Sequence, residues 1–357
     1  MLDRRTFLKL TGTGVLVLVS GGAVAACDTP APEVKVGSGF SARVIATSGQ
    51  LVAGTSYRWH ANPDGGAVFP TSDGGWIYVS NSETLSGAGG ASMVRFSASG
   101  AIVEARRILG GTSLNCAGGA TPWGTWLSCE EHDNGQVYEC DPAGVKAAVV
   151  RPAMGRFRHE AAAVDPVSRR IYLTEDHPQG ALHRFLPSRW GDLSEGRLQV
   201  LTESAGLLAW KDVPHPSSTA PATRDQVPNT KRFAGGEGTC WMGDSVFFTT
   251  KLDNKVWRYH PPTHTLTVVY DLATASTPSL SGVDNLTTGP GGDLYVAEDG
   301  GNMEIVRLRL DGTVHPVAQV AVTGSELTGP AFSPDGTRLY FSSQRNPGTT
   351  YEVRGPF

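Results

Sequence analysis

Ile171-Tyr172-Leu173-Thr174-Glu175-Asp176 recurs along the chain as a pattern: an apolar-aromatic pair running into small or acidic residues. Its counterparts are Trp76-Ile77-Tyr78-Val79-Ser80-Asn81-Ser82-Glu83, Thr125-Trp126-Leu127-Ser128-Cys129-Glu130-Glu131, Val246-Phe247-Phe248-Thr249-Thr250, Leu294-Tyr295-Val296-Ala297-Glu298-Asp299 and Leu339-Tyr340-Phe341-Ser342-Ser343. Aligned on Tyr78, Trp126, Tyr172, Phe247, Tyr295 and Tyr340, they are spaced by 48, 46, 75, 48 and 45 residues. A four-stranded propeller blade takes about 40 to 50 residues, so the period predicts an all-β, six-bladed β-propeller.

A second element recurs about a dozen residues before each aromatic: Pro63-Asp64-Gly65-Gly66, Asn115-Cys116-Ala117-Gly118-Gly119, His159-Glu160-Ala161-Ala162, Gly236-Glu237-Gly238-Thr239, Val283-Asp284-Asn285-Leu286 and Leu327-Thr328-Gly329-Pro330. Six strands crowding around one axis require small residues, so these segments are the predicted innermost strands. The polar residue near the start of each then faces the channel. Asp64, Cys116, Glu160, Glu237 and Asp284 would line it, with Glu83, Glu130, Glu131, Glu175, Asp176, Glu298 and Asp299 at the ends of the second strands. Carboxylates packed this closely repel one another and take up protons unless cations compensate them. Their hard oxygens suit Ca²⁺. The single thiolate of Cys116 favours a transition metal beside it, iron rather than zinc where oxygen ligands dominate. His159 lies next to Glu160 and so points to the other face of its strand, as packing rather than as a ligand.

The 75-residue interval holds an insertion at about 188–230, rich in Pro, Ser and Thr, which reads as a long loop over one face. Composition fits this picture. With 44 Gly and 23 Pro in 357 residues the chain is built for many turns, while 39% hydrophobic and 18% charged residues exclude a disordered chain. The net charge of −4 carries no basic block, which excludes a nucleic-acid footprint.

Residues 1–27 read as an address. Arg4-Arg5 precede a weakly apolar, Gly-rich stretch similar to a twin-arginine export signal, ending in Val24-Ala25-Ala26-Cys27, which resembles a lipobox with Cys27 as lipid anchor. An ordinary cleavage site with an incidental Cys is the alternative. Either way the expected location is the periplasm or cell surface, with residues 28–38 as a flexible tether and 39–357 as the propeller. Four cysteines remain in that oxidising setting, and Cys129 with Cys140 would be the most local disulfide.

The run Asn115 to Glu131, Gly155-Arg156-Phe157-Arg158-His159-Glu160, Tyr172 to Asp176, Gly236-Glu237-Gly238, and Asp284-Asn285-Leu286 with Glu298-Asp299 together resemble the PhoX family of bacterial alkaline phosphatases. The resemblance spans about Trp59 to Arg345. It implies a site combining iron and calcium that acts on a small phosphate ester: Cys116 ligating iron, Glu160 and Glu237 binding or bridging metals as the catalytic centre with Cys116, and Glu131, Asp284 and Glu298 as calcium ligands. Two phosphate-contacting positions depart from the family pattern. Gly235 stands where an Arg is typical and Ile108 where a Lys is, leaving Arg156, Arg158 and Arg232 as candidates to hold the phosphate, with Arg106 and Arg107 behind them. The competing readings are a Ca²⁺-dependent, lactonase-like propeller hydrolase and an inactive, metal-stabilised binding module. A closed propeller leaves few exposed strand edges, so a monomer is the default.

Overall fold

The computed structural model describes residues 29–276, 279–322 and 324–357, and within them the chain forms six antiparallel sheets in a ring, a six-bladed β-propeller. The innermost strands are Pro63–Pro70, Asn115–Ala120, His159–Asp165, Gly236–Met242, Val283–Thr288 and Leu327–Phe332, numbered here as blades one to six. Each pairs with its predicted aromatic-bearing second strand. The ring closes because Ser41–Thr47, from the start of the chain, supplies an outer strand of blade six beside Thr349–Arg354.

Two expectations are corrected here. The stretch read as a tether is in fact paired: Thr29–Pro30 bonds to Val44 and Arg43, and Val34–Val36 adds a fifth strand to blade five through Ala318–Val320. The Pro, Ser and Thr residues also masked how much of the insertion is strand. Asp192–Ser204 and Leu207–Asp212 extend blade three, so the irregular part is confined to 213–231. The signal segment and its Cys27 lie outside the described residues.

The core is a set of six apolar clusters, one at each blade-to-blade contact, and all six aligned aromatics sit in them at 0–1% exposure. Tyr78, for instance, stacks on Tyr340 with ring centroids 5.2 Å apart, joining blade one to blade six. Cys129 and Cys140 do not form the expected disulfide; the four described cysteines are free. They lie on neighbouring strands of blade two, but Cys129 pairs with Val137 and Cys140 with Trp126, and each faces a different cluster.

Candidate metal centre

Every inner strand breaks its register at the same place. The ladder skips two residues after Pro63, Asn115, His159, Gly236 and Val283, and after Thr328 in blade six. A bulge re-aims a side chain that a regular pleat would direct sideways. In five blades its first residue is Asp64, Cys116, Glu160, Glu237 or Asp284, the set read from the sequence. Neighbouring blades hold the bulges in place. Asn81 Nδ2 donates to Cys116 O (3.1 Å), and the hydroxyls of Thr174 and Thr249, at the corresponding positions of blades three and four, donate to Glu237 O and Asp284 O.

The Cys116 thiol, Glu131 and Glu160 place ligand atoms within 4.8 Å of one another, and so do Glu160, Glu237 and Asp284. Glu160 belongs to both groups. Among the described residues its Oε2 is buried with no hydrogen-bond partner, and its Oε1 meets only the Asn285 side-chain amide at 3.4 Å. Burial, reinforced by the neighbouring carboxylates, raises the carboxyls of Glu160, Glu237 and Asp64 well above their usual range, and the Cys116 thiol likewise. For the same reasons Asp284 is pushed up to about 7 and Glu131 to about 8. Orphaned buried oxygens and a thiol beside them are a donor set suited to cations, so the residues present fit a metal centre. Asp64 is held more fully, by the Gly65 amide at 2.6 Å and Gln344 Nε2 at 2.6 Å.

A second ring lies at the mouth, formed by the residue just past each second strand: Glu83, Glu131, Asp176, Lys251, Asp299 and Gln344, all half-buried. The residue before each points away from it. Glu298, expected as a calcium ligand, belongs to that preceding set and is not brought into either of the two ligand groups. Its Oε1 accepts the Ser281 amide and its Oε2 the Glu304 amide, both at 2.9 Å, which makes it a loop clamp. Glu130 clamps the Ser113 and Gln136 amides in the same way, and Glu175 the Ala181 amide.

Lys251 was missed by the sequence reading, although its place at a strand end, where other blades carry acids, marked it. Its Nζ lies 3.1 Å from Glu237 Oε1 and 3.3 Å from Asp299 Oδ2. The contact with Glu237 is an ion pair between a half-buried ammonium and a buried carboxylate oxygen. The Lys251 amide donates to Gly235 O at 2.8 Å, setting the ammonium beside the position that lacks an arginine. Gly235 itself has φ +71°, and a Cβ there would come within 3.2 Å of Asp176 Oδ1, so a larger residue is strained.

The candidate arginines separate. Arg232 is engaged by Asp225 (2.8 Å) and Gln179 O (3.1 Å) beside the insertion. Arg106 pairs with Glu104, and Arg107 is spent on backbone carbonyls such as Leu109 O. Arg156 and Arg158 flank the mouth on the blade-three side, where they line a cavity described below. His159 packs as expected, buried, with its ring 3.6 Å from that of Phe157 and Nε2 3.2 Å from Gly155 O. Burial lowers its pKa to about 3, so it stays neutral.

Residues 77–244, just under half of the chain, match the family model described as alkaline phosphatase PhoX. Among solved structures, Pseudomonas fluorescens PhoX in complex with vanadate, a transition state analogue, is similar with a TM-score of 0.77 at 16% identity, over 92% of this chain and 97% of that one. A gluconolactonase from Xanthomonas campestris is similar at a TM-score of 0.57 and 12% identity, over 95% and 99% of the two chains. A Bacteroides thetaiotaomicron protein of unknown function follows at 0.56 and 8% identity, over 88% and 76%. No curated protein matches the sequence. The family match runs from the first blade into the fourth and the fold match covers nearly all of the chain, so the chain is a six-bladed propeller whose fold is similar to that of PhoX.

Proposed function

We propose that this protein is an exported, metal-dependent phosphatase that hydrolyses phosphate monoesters at the axial centre. The observation that carries the reading is Glu160, shared by a group containing the Cys116 thiol and a group made only of carboxylates. That arrangement suits two cations of different character side by side, iron near Cys116 and calcium among the carboxylates. Glu131, Glu160, Glu237 and Asp284 would hold them with Cys116. When bound, adjacent cations neutralise a phosphate dianion and activate an oxygen nucleophile.

The chain's own residues supply the rest. Glu160 and Glu237 stand at a fixed distance because the Thr174 hydroxyl ties their two bulges together, accepting from the Ala161 amide at 3.1 Å and donating to Glu237 O. Lys251 places a fixed positive charge at the mouth, next to Glu237, and so takes the phosphate-orienting part left open at Gly235. Burial alone would lower the pKa of that ammonium, but Glu237 and Asp284, then Asp299 and Asp176, outweigh it and hold the pKa above the ordinary lysine value, so it remains charged at alkaline pH. In this reading the twin-arginine segment exports the folded, loaded protein as a monomer, and Cys27 anchors it to lipid at the cell surface or in the periplasm.

The deciding experiment is elemental analysis of protein exported by a twin-arginine-competent host and purified without chelators, followed by phosphate release from 4-nitrophenyl phosphate. Iron with calcium and turnover supports the proposal, and Cys116→Ser should then lose iron while keeping calcium. Calcium without iron would favour the lactonase-like hydrolase, whose support is the gluconolactonase likeness. Metals without turnover would leave the binding module.

A further inference from the structure

The motif Gly155–Glu160 and the irregular part of the insertion build a second cavity together. It encloses about 190 Å³ and is lined by Asp133, Arg156, Phe157, Arg158, His177, Thr219, Ala222 and Arg224. The insertion is tied to the motif by the Arg156 amide, which donates to Pro216 O at 2.9 Å. The cavity adjoins the metal centre, because its residues flank the ring residues along the chain. Arg158 is two positions from Glu160, Asp133 two from Glu131, and His177 one from Asp176, whose amide donates to Arg158 O.

Three guanidiniums line this space with one carboxylate, Asp133, while Glu175 and, at 3.8 Å, Asp225 reach Arg224 from outside the lining. Glu175, fully buried, grips Arg224 Nη1 at 2.5 Å and fixes its orientation, while Arg224 Nη2 lies 3.3 Å from His177 Nε2. Asp133 accepts from Arg158 Nε alone at 2.8 Å. Among the described residues the Nη groups of Arg158 and the whole guanidinium of Arg156 have no partner. A cavity lined by unspent guanidinium donors, one of them anchored from behind, is a built oxyanion site. His177 adds no opposing negative charge.

We propose that this cavity is a second subsite that takes a distal anionic group of the substrate, a phosphate or a carboxylate, while the ester phosphate occupies the metal centre. The inference rests on the phosphatase reading for its first half only. It makes the insertion a specificity element: the protein prefers phosphate monoesters that carry a second oxyanion over those that do not. One well-placed guanidinium pair of this kind corresponds to about a tenfold preference.

The test compares fructose 1,6-bisphosphate with fructose 6-phosphate, and 6-phosphogluconate with glucose 6-phosphate, on the metal-loaded protein. The first pair probes a distal phosphate and the second a distal carboxylate. The expected wild-type kcat/KM favours the doubly anionic member of at least one pair about tenfold, expressed mainly in KM, and Arg156→Gln collapses that ratio. Arg156 is exposed and its side chain has no partner, so the variant should fold; Arg158→Gln provides a second reading of the same ratio. Calorimetric binding of the same compounds is independent of turnover. A binding preference that Arg156→Gln removes, without any hydrolysis, would sink the phosphatase reading and leave the subsite standing. Hydrolysis with equal kcat/KM for both members of each pair, or a preference that neither variant alters, would overturn the subsite.

Discussion

The two ends of the axial channel are made from the same six strands and could hardly differ more. Before and within the bulges stand Asp64, Cys116, Glu160, Glu237 and Asp284. Past them the same strands carry Gly66-Ala67, Gly118-Gly119, Ala162-Ala163, Thr239-Cys240, Leu286-Thr287 and Pro330-Ala331, which line a cavity of about 450 Å³ with no carboxylate, His, Lys or Arg. The larger cavity is thus the chemically empty one. Small and apolar residues leave one end open and uncharged, and the bulge gathers charge at the other. The propeller tolerates that charge only in so far as something else balances it.

Metal removal should therefore produce the largest effect, and a pH-dependent one. Asp284 and Glu131 are raised to about 7 and about 8 by burial and mutual repulsion. Between the unfolded carboxylate pKa of about 4 and those values the folded, metal-free protein binds more protons than the unfolded chain, so its stability falls as pH rises through that window. Chelator-treated protein should melt lower at pH 8.5 than at pH 5.5, with the loaded protein ahead by about 10 °C at pH 8.5. Scanning calorimetry at both pH values checks this. A melting temperature indifferent to chelator at both would remove metal from the picture of this end.

Substitutions at the two ends should dissociate. Glu160→Gln removes a charge shared by both ligand groups; it should lower phosphatase activity on the order of 100-fold and cut metal content, while raising the melting temperature of the stripped protein at pH 8.5. Gly119→Ala, on the far side of the bulge in the adjacent blade, adds a Cβ that would collide with the Ala162 carbonyl. It should destabilise by about 1–3 kcal/mol and leave the metal content per folded molecule unchanged. Parallel losses of stability and metal in both variants would mean that the two ends are not separable.

How much of this was legible follows from the same geometry. The aromatic repeat exposed the six blades because each aromatic must fill a blade contact, and the phase of the inner residues exposed the axial set because all five sit at one structural position. The mouth was half legible. Acids at the ends of blades one, two, three and five repeated visibly, but Lys251 and Gln344 occupy the same position with different chemistry, so a search for carboxylates passed over them. The insertion misled for a local reason: its Pro-rich tail, 213–231, coloured the reading of the strands before it. Strand pairs such as Thr29 with Val44 depend on where the ring closes, which no local pattern encodes.

The subtlest contrast is between Glu298 and Asp299, neighbours in sequence that a pattern of acidic residues treats as one signal. Strand alternation turns them to opposite sides. Asp299 reaches Lys251 at the mouth, whereas both oxygens of Glu298 are occupied by backbone amides of the loop that follows. Asp299→Asn weakens the field that holds the ammonium and should alter KM. Glu298→Gln keeps one acceptor but turns an NH₂ group toward a buried amide donor, a mismatch of about 1–3 kcal/mol. Its expected signature is a lower melting temperature with unaltered calcium and iron stoichiometry and unaltered KM. Loss of calcium in Glu298→Gln at full folding would return Glu298 to the ligand set and erase the distinction between mouth and clamp.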